Sequence, residues 1–343
     1  MKNKETVHIY TNEIIRVTYK CNWSCKFCNV LKTNNYWKRD ITYKEVISKI
    51  LLLIRKYSKK ELANLILSFS WWEPTLDDNL LYYVKLAKLI WVWKVQIQTN
   101  WTRLFKDKNY INKLIAVWLD EIFLAQHSWD NYINKDLWCY FSVSDFIDWV
   151  KYIKDNNIYN KISICLNIVI TKINIYSIYN YIKFLLDIWF ISMLSPKSDN
   201  WKSMHEISFW LVQPNWYAKI NKDKVLLKFN KKELNEIKKI VKLCETNNIV
   251  PDFHFTSPPL CILEYPEYNL EYSRLKQLKY DKDKWIINKW NLDSYKWLWK
   301  EKQKFDECKK CKYNNYCLWF YKNWVNFVWE DYIKEKILSF LKD

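Results

Sequence analysis

The sequence predicts an α/β fold built on a parallel sheet. Apolar runs of strand length alternate with stretches whose apolar residues recur at helical spacing, and the connections between them are short. Repeated strand–helix units of this kind place the strands side by side and the helices outside. Six such units predict a partial (β/α)6 TIM-like barrel, an open version of the eight-fold barrel. In barrels of this type the chemistry lies at the carboxyl ends of the strands.

The predicted elements follow one another in regular order. Strands are predicted at residues 12–19, 65–70, 94–99, 119–126, 161–170 and 190–194. Helices are predicted at residues 43–57, 79–90, 106–117, 143–154 and 176–186. The pattern changes after residue 205, where a further strand at 207–213 and a Lys-rich helix at 231–247 follow. We therefore predict a core domain at residues 1–215 and a small C-terminal domain at residues 216–343.

One feature of the composition is abnormal. The chain contains no Gly and 22 Trp, whereas an ordinary glycine share of ~7% would give roughly 24 glycines in this length. Trp72, Trp101 and Trp324 stand in turn contexts, where a residue free to take positive φ is favoured and an indole is poorly suited. We hypothesise that the 22 Trp stand for Gly. Either UGA codons that encode glycine have been translated as tryptophan, or the letter W has replaced the letter G in the written sequence. A genuinely Trp-rich protein is the alternative.

Three cysteines stand directly after the first predicted strand. Cys21, Cys25 and Cys28 have the spacing C-x3-C-x2-C, and short gaps of this kind let several thiolates converge on one iron–sulfur cluster. A cubane has four irons, so three cysteines leave one iron without a protein ligand. An incomplete set of ligands is how a catalytic metal site keeps a position open. A structural zinc knuckle or scattered buried thiols are the alternatives.

This motif resembles that of the radical SAM superfamily, in which an aromatic residue precedes the third cysteine, as Phe27 does here. The resemblance covers roughly the first two thirds of the chain. It implies a 4Fe–4S cluster held by Cys21, Cys25 and Cys28, whose open iron binds S-adenosylmethionine. It also implies that the reduced cluster cleaves this cofactor to a 5′-deoxyadenosyl radical. No catalytic side chain beyond the cluster ligands is identified.

A second motif, WWEPT at residues 71–75, is similar to the family's GGEP segment when its two Trp are replaced by Gly. The resemblance implies that Trp71, Trp72, Glu73 and Pro74 close over the methionyl part of the cofactor. Glu73 would then accept a charge-assisted hydrogen bond from the α-ammonium group. An acidic turn after a strand is the alternative.

Weaker polar candidates fall near the ends of later strands. The stretch at residues 98–101, QTNW, resembles the family's Thr-Asn-Gly, which shapes the floor of the site. Gln126 ends the fourth predicted strand, and Asn167 lies in a stretch that resembles the family's fifth strand. We predict both as polar contacts to the cofactor, with satisfied core or rim residues as the alternative. Lys197 and His205 could also reach the site, although a lone Lys or His is usually solvated or packed.

The C-terminal region contains a second group of cysteines. Cys261, Cys308, Cys311 and Cys317 have the spacing C-x46-C-x2-C-x5-C, which supplies four thiols for one cluster or one zinc ion. The ending CKKCKYNNYCLW resembles the C-terminal part of SPASM/twitch domains. This resemblance implies a shortened domain with one auxiliary 4Fe–4S cluster and favours the cluster over zinc. Cys139, Cys165 and Cys244 are left over, and free cysteine is commonly a buried hydrophobe. For Cys139, in a loop after the fourth strand, a position facing the site is the alternative.

Charge and cysteine usage narrow the possible partners and location. The net charge is +18, but the basic residues are nearly all Lys, which argues against a selected nucleic-acid partner. Ten cysteines grouped at metal-ligand spacing favour a reducing compartment over a disulfide framework. We expect no secretory signal, because the polar stretch MKNKETVHIY lacks an apolar core, and no apolar run approaches the ~20 residues that span a bilayer. We expect a cytoplasmic protein without a membrane partner.

Taken together, these features predict a radical SAM enzyme that modifies a peptide or protein and receives electrons from a flavodoxin- or ferredoxin-like donor. The C-terminal resemblance implies the peptide substrate, because enzymes with this appendage often modify ribosomally made peptides. One alternative is a small-molecule radical SAM enzyme of cofactor biosynthesis. The other is a non-catalytic iron–sulfur or zinc protein that binds nucleic acid. The sequence itself names no substrate.

Overall fold

The computed structural model describes most of the chain up to residue 254 and parts of the remainder. The described residues are 11–28, 39–139, 142–194, 205–212, 216–254, 260–263, 265, 268, 302–311, 313, 314, 317, 320–326, 333–335, 337 and 338. All statements below concern these residues.

A seven-stranded sheet dominates the fold. Its strands lie in the order of the sequence, β1–β2–β3–β4–β5–β6–β7. They are β1 (Thr11–Ile15), β2 (Leu65–Phe69), β3 (Lys94–Thr99), β4 (Glu121–Ala125), β5 (Ser163–Ile170), β6 (His205–Leu211) and β7 (Ile249–His254). The first five strands pair in parallel, with Thr11 opposite Leu65 and Glu121 opposite Ser163. The α/β class and the TIM-like strand order predicted from the sequence are therefore confirmed.

Helices connect the strands, as parallel pairing requires. The helices of the first five units are α1 (Tyr43–Lys56), α2 (Lys59–Leu62), α3 (Leu80–Leu89), α4 (Thr102–Lys106), α5 (Tyr110–Ala116), α6 (Asn131–Asp136), α7 (Val143–Asp155) and α8 (Ile175–Asp187). The later helices are α9 (Trp216–Ile220), α10 (Lys222–Val225), α11 (Lys231–Thr246), α12 (Leu260–Leu263) and α13 (Lys322–Val325). Near the C-terminus, β8 (Lys302–Gln303) pairs antiparallel with β9 (Phe320–Tyr321).

The burial pattern of β5 shows how the sheet divides its side chains. Ile164, Leu166, Ile168 and Ile170 are fully buried, whereas the residues between them are partly exposed. Alternate side chains of a strand point to opposite faces. One face of β5 is therefore packed, and the other, which carries Asn167, is only partly covered.

One predicted strand is wrong. Residues 190–194 do not form the sixth strand, because Ile191–Met193 is a turn of 3-10 helix. The apolar run is buried all the same, since Phe190, Met193 and Leu194 are at most 5% exposed. Burial without strand pairing is possible here because the amide groups of Met193 and Leu194 donate within the turn, to Phe190 and Ile191. The sixth strand of the sheet is β6, which the sequence predicted as a further strand.

Among the residues that the structure describes, seven tryptophans adopt the left-handed conformation that glycine favours. Their φ angles lie between 52° and 71°, at Trp71, Trp72, Trp91, Trp101, Trp118, Trp138 and Trp189. Three other residues share positive φ, namely Asn157, Phe229 and Asn248. A bulky residue in this region is a conformational outlier, because its Cβ crowds the backbone.

The chain divides into two compact units whose segments interleave in sequence. One contains Met1–Cys25, Val30–Asn167 and Asn180–Glu206, and the other contains Lys26–Asn29, Ile168–Tyr179 and Ile207–Asp343. The division into domains at residue 215 stays a prediction. Within the described residues, no helix has the length and apolar character that crossing a membrane requires.

Candidate functional site

The loop after β1 carries the first cysteine group, and hydrogen bonds aim donors at one of its sulfurs. The Sγ atom of Cys21 accepts from the backbone amide of Trp23 at 3.4 Å. The side-chain amide of Asn100, just beyond β3, donates to the same sulfur at 3.8 Å. Donors of this kind favour the thiolate form that binds metal. Cys21 as a residue is partly exposed.

Backbone and side-chain contacts fix this loop against the carboxyl ends of β2 and β3. The amide of Glu73 donates to the carbonyl of Lys20 at 3.0 Å. Asn100 Nδ2 also donates to Asn22 Oδ1 at 2.6 Å. The residues on either side of Cys21 are thus each held by a neighbouring strand end. Three motifs that are far apart in the sequence meet at one edge of the sheet.

The WWEPT segment forms a tight turn after β2. Trp71 and Trp72 are consecutive left-handed residues, with φ angles of 69° and 52°. Pro74 is buried and begins a turn of 3-10 helix at Pro74–Leu76, with Glu73 as its N-cap. This backbone path brings Glu73 underneath the turn, where its side chain is 0% exposed.

The Glu73 carboxylate is bonded to groups of this turn and of β3. Its Oε1 atom accepts from the Thr75 amide at 3.0 Å, from the Thr75 hydroxyl at 2.5 Å and from the Thr99 hydroxyl at 2.7 Å. Its Oε2 atom accepts from the Asn100 amide at 2.6 Å. Burial raises the pKa of Glu73, and these donors oppose the rise. The carboxylate therefore ties the WWEPT turn to the end of β3.

The polar residues predicted on β4 and β5 lie side by side. The Gln126 amide donates to the Asn167 carbonyl at 3.0 Å, which extends the pairing of the two strands. The Gln126 side chain donates to the Ser128 carbonyl at 2.6 Å. Asn167 Oδ1 is buried and has no hydrogen-bond partner within the described residues. An acceptor left unpaired in this way costs free energy unless a bound group donates to it.

His127 lies next to Gln126 and is buried, with 3% of its surface exposed. Burial lowers the pKa of His127 to about 3, so the imidazole is neutral at physiological pH. Its ring meets that of Trp23 edge-on, with the centroids 6.5 Å apart.

The other members of the first motif have different surroundings. Cys25 Sγ lies 3.4 Å from Cys139 Sγ. Phe27 is buried with 8% exposure, and Cys28 is partly exposed. The carbonyl of Lys26 accepts from the side chain of Asn221 at 3.3 Å.

The four C-terminal cysteines lie near one another. Cys261 is in α12, and Cys308 is in a 3-10 turn at Asp306–Lys310 that ends at Cys311. Burial raises the pKa of the Cys261 thiol, and negative charge on Cys317, Cys308 and Cys311 adds to the rise. All four cysteines belong to the same compact unit.

A single metal ion in a protein is held by three or more ligand atoms that converge on one point. Within the described residues, no group of three or more His, Cys, Asp or Glu side chains forms such a site. The ligands of a cubane bind different irons at separate corners, so they lie farther apart than the ligands of one ion.

The remaining candidates have ordinary structural surroundings. Lys197 lies outside the described residues. His205 Nδ1 lies 2.8 Å from the carbonyl of Leu194. Cys244 is fully buried in α11, and burial raises the pKa of both Cys244 and Cys165.

Two residues at the site carry more contacts than the sequence indicated. Asn100 bridges Cys21 and Asn22, although its motif predicted only a role in the site floor. Cys139 touches Cys25, which its position in a loop after the fourth strand had suggested only as a possibility. The sequence indicated Asn100 through the QTNW motif, which resembles the family's Thr-Asn-Gly. A motif does not show which atoms the side-chain amide of Asn100 contacts.

Comparison with protein families and solved structures identifies the domain. Residues 15–185 match the model of the radical SAM superfamily. SuiB of Streptococcus suis bound to precursor peptide SuiA aligns with a TM-score of 0.53 and 17% identity, over 76% of this chain and 52% of SuiB. SuiB bound to S-adenosylmethionine aligns with a TM-score of 0.51 and 17% identity, over 72% of this chain and 51% of SuiB.

A third structure, native anSMEcpe with bound AdoMet, aligns with a TM-score of 0.50 and 13% identity, over 72% of this chain and 64% of that chain. The chain spans about half the length of the SuiB structures that it matches. No curated protein sequence matches the chain. Identities this low show a shared fold, whereas the family model matches the residues that form the cysteine loop and its supports. Residues 15–185 therefore form a radical SAM domain, the family whose model they match.

Proposed function

We propose that the chain reductively cleaves S-adenosylmethionine and uses the resulting 5′-deoxyadenosyl radical to abstract a hydrogen atom from a peptide or protein. One observation carries this proposal: the three-cysteine loop of a radical SAM domain is held at the carboxyl ends of β2 and β3 with donors aimed at Cys21 Sγ. A loop that only packed buried thiols would have no need of those donors.

Cys21, Cys25 and Cys28 are the proposed ligands of a 4Fe–4S cluster. The hydrogen bonds at Cys21 fit a ligating thiolate, because N–H donors stabilise its negative charge. When bound, such a cluster supplies the electron that cleaves S-adenosylmethionine. The protein's part is to hold the loop in place, and Glu73 and Asn100 do so through Lys20 and Asn22.

S-adenosylmethionine would lie along the ends of the first five strands. The unpaired Oδ1 of Asn167 offers an acceptor there, and Gln126 is adjacent on β4. Trp71, Trp72, Glu73 and Pro74 are the proposed turn over the methionyl end, with Phe27 beside the third cysteine. Because the Glu73 carboxylate already accepts four hydrogen bonds, we assign it to holding this turn, and the backbone of the turn to the ammonium group.

The 22 Trp positions, we infer, are glycine positions of the native protein. Helices α3, α5, α6 and α8 all end in the same way, with a left-handed Trp one residue past the C-cap, at Trp91, Trp118, Trp138 and Trp189. In each case the backbone amides of this Trp and of the next residue donate to backbone carbonyls in the last turn of the helix, as in a Schellman motif. That position is usually glycine.

The indoles at these four helix ends are 45–64% exposed, so packing does not explain them. Tryptophan would be written at glycine positions either if UGA codons for glycine had been translated as tryptophan or if the letter W had replaced the letter G in the sequence. Peptide masses from the native source test the inference. We expect masses of glycine at residues 71 and 72, and intact tryptophan there would refute it.

The C-terminal region is proposed as a SPASM/twitch-like domain at residues 216–343, with an auxiliary 4Fe–4S cluster on Cys261, Cys308, Cys311 and Cys317. The electrostatic coupling of Cys261 to the other three thiols supports a shared ligand. Zinc is the alternative occupant, and elemental analysis distinguishes the two.

The peptide substrate is supported by the fold shared with SuiB, which was crystallised with its precursor peptide. The electron donor is proposed to be a flavodoxin- or ferredoxin-like protein, and the compartment to be the cytoplasm. A small-molecule substrate, or nucleic-acid binding without catalysis, would replace this proposal if no radical chemistry were found.

The test uses protein produced anaerobically with glycine at the 22 Trp positions and with its clusters reconstituted. After reduction with dithionite, we expect 5′-deoxyadenosine to form from S-adenosylmethionine. An iron-loaded protein that forms none would contradict the proposal and favour a binding role. Transfer of deuterium from a labelled peptide into 5′-deoxyadenosine would then identify the substrate class.

A further inference from the structure

Cys139 contacts one of the proposed cluster ligands. Its Sγ atom donates to Cys25 Sγ at 3.4 Å, and only 2% of Cys139 is exposed. The same sulfur lies 3.7 Å from the carbonyl of Leu137. Cys139 is not among the three motif cysteines, so the proposed function leaves it without a role.

Backbone contacts hold this sulfur pair together. Cys139 is the second residue past the C-cap of α6, and its amide donates to the Asn134 carbonyl at 2.9 Å. The side chain of Asn134 in turn donates to the Ser128 carbonyl, just beyond β4, at 3.0 Å. On the other side, the amide of Ser24 donates to the Trp138 carbonyl at 3.4 Å. Ser24 precedes Cys25 and Trp138 precedes Cys139, so the hydrogen bond between Ser24 and Trp138 joins the cysteine loop to the end of α6 directly beside both cysteines.

We propose that Cys139 donates an S–H hydrogen bond to the Cys25 thiolate and thereby raises the reduction potential of the cluster that Cys25 ligates. This inference rests on the proposed cluster. Hydrogen bonds to the ligating sulfurs are one of the factors that set cluster potentials. Reduction adds negative charge to the cluster and its ligands, so a donor at a ligand sulfur stabilises the reduced form more than the oxidised form.

Cys139 is thus a positioning residue, which acts on the reaction through Cys25. It does not complete the ligand set, because the open iron is needed for S-adenosylmethionine. Its value to the enzyme is that a milder cellular donor can reduce the cluster. Cys165 and Cys244 have no described contact with the three motif cysteines and provide matched controls.

The test is a redox titration of the reconstituted protein followed by electron paramagnetic resonance. At a fixed potential, we expect Cys139→Ala to lower the ratio of reduced to oxidised cluster by roughly 3- to 10-fold, as the loss of about one hydrogen bond implies. Cys139→Ser, whose hydroxyl can still donate, should recover part of this loss. Cys244→Ala should leave the ratio unchanged.

Iron content and circular dichroism establish that each variant is folded and loaded. An unchanged ratio in loaded Cys139→Ala would overturn the inference, as would loss of iron from Cys139→Ala but not from Cys139→Ser, which would make Cys139 a ligand. If the cluster does not cleave S-adenosylmethionine but its potential still shifts, the proposed reaction fails and this inference stands. If cleavage occurs without a shift, only this inference fails.

Discussion

The two cysteine groups of this chain are held in different ways. Cys21 lies in a loop that strand ends support, and its sulfur already accepts hydrogen bonds from Trp23 and Asn100. In the C-terminal group, Cys261 lies in the short helix α12, and Cys308 and Cys311 lie in a 3-10 turn and at its end. Their described environment raises the pKa of Cys261 and Cys308 through burial.

This difference is consistent with the proposed roles, in which the first group binds the cofactor and the second holds an auxiliary metal centre. The loop that carries Cys21 is supported by the ends of β2 and β3, and Asn167, in the same compact unit as Cys21, has an unpaired acceptor within the described residues. Four thiols can satisfy every iron of a cubane or all four positions of a zinc ion. We therefore expect the first group to bind and cleave the cofactor and the second to hold an auxiliary metal centre.

The largest expected effect is on metal content. Loaded protein should contain ~8 irons, four for each cluster. Cys25→Ala and Cys308→Ala should each reduce the count to about 4, because loss of one thiolate leaves the remaining ligands too weak to hold a cluster. Iron, sulfide and zinc analysis measures this. An unchanged iron count in Cys308→Ala, with one zinc per chain in the unaltered protein, would show that the C-terminal site is not a cluster.

The support of Cys21 is tested by Asn100→Ala. This change removes the amide that contacts Cys21 Sγ and Asn22 Oδ1. Loss of groups that orient a metal ligand typically costs ~10- to 100-fold in metal affinity, and we expect that range here. Competition with an iron chelator measures it. Asn79→Ala, at an exposed helix start, is the control, and equal losses from both variants would remove the special role of Asn100.

The turn after β2 is tested by Glu73→Gln. In either orientation the NH2 group of the glutamine would face a backbone N–H donor, that of Asn100 at the Oε2 position or that of Thr75 at the Oε1 position. A buried unsatisfied donor costs about 1–3 kcal/mol of the free energy of unfolding. Urea denaturation of the loaded protein measures this, with Asp78→Asn as the control because the Asp78 side chain is 93% exposed. If Glu73→Gln lowered the free energy of unfolding by less than Asp78→Asn does, the Glu73 carboxylate would not be needed to hold this turn.

A pH dependence should arise from His127. Its pKa falls from 6.5 to about 3 on folding, so below pH 6.5 the unfolded chain binds a proton that the folded chain does not. Stability therefore falls as the pH drops, by ~1.4 kcal/mol per pH unit, or about 2 kcal/mol between pH 6.5 and 5. His127→Asn should remove this part of the dependence and His205→Asn should not. Urea denaturation at pH 7 and pH 5 compares them.

Much of the fold followed from the sequence because periodicity and turn signals act locally. The first five strands and the helices α1, α3, α7, α8 and α11 were found at nearly their observed positions. Residues 190–194 were misread, because a short apolar run does not distinguish a strand from a buried 3-10 turn. Short helices such as α6 were not identified, although α6 fixes the position of Cys139.

For the site, spacing and resemblance led to Cys21, Cys25, Cys28 and Glu73, and the family model covers those residues. Spacing could not show that the Glu73 carboxylate is turned inward to Thr99 and Asn100, because that depends on how β2 and β3 pack. The contact between Cys25 and Cys139 joins residues that are 114 positions apart, so nothing local predicts it.

The central claim is that the first cysteine group performs the cleavage and the second does not. The most direct test measures 5′-deoxyadenosine formed by dithionite-reduced Cys25→Ala and Cys308→Ala, each with its remaining cluster reconstituted. We predict that Cys25→Ala forms none above background, whereas Cys308→Ala still cleaves S-adenosylmethionine. Cleavage that persists in Cys25→Ala, or that disappears in Cys308→Ala while its first cluster is intact, would contradict this account.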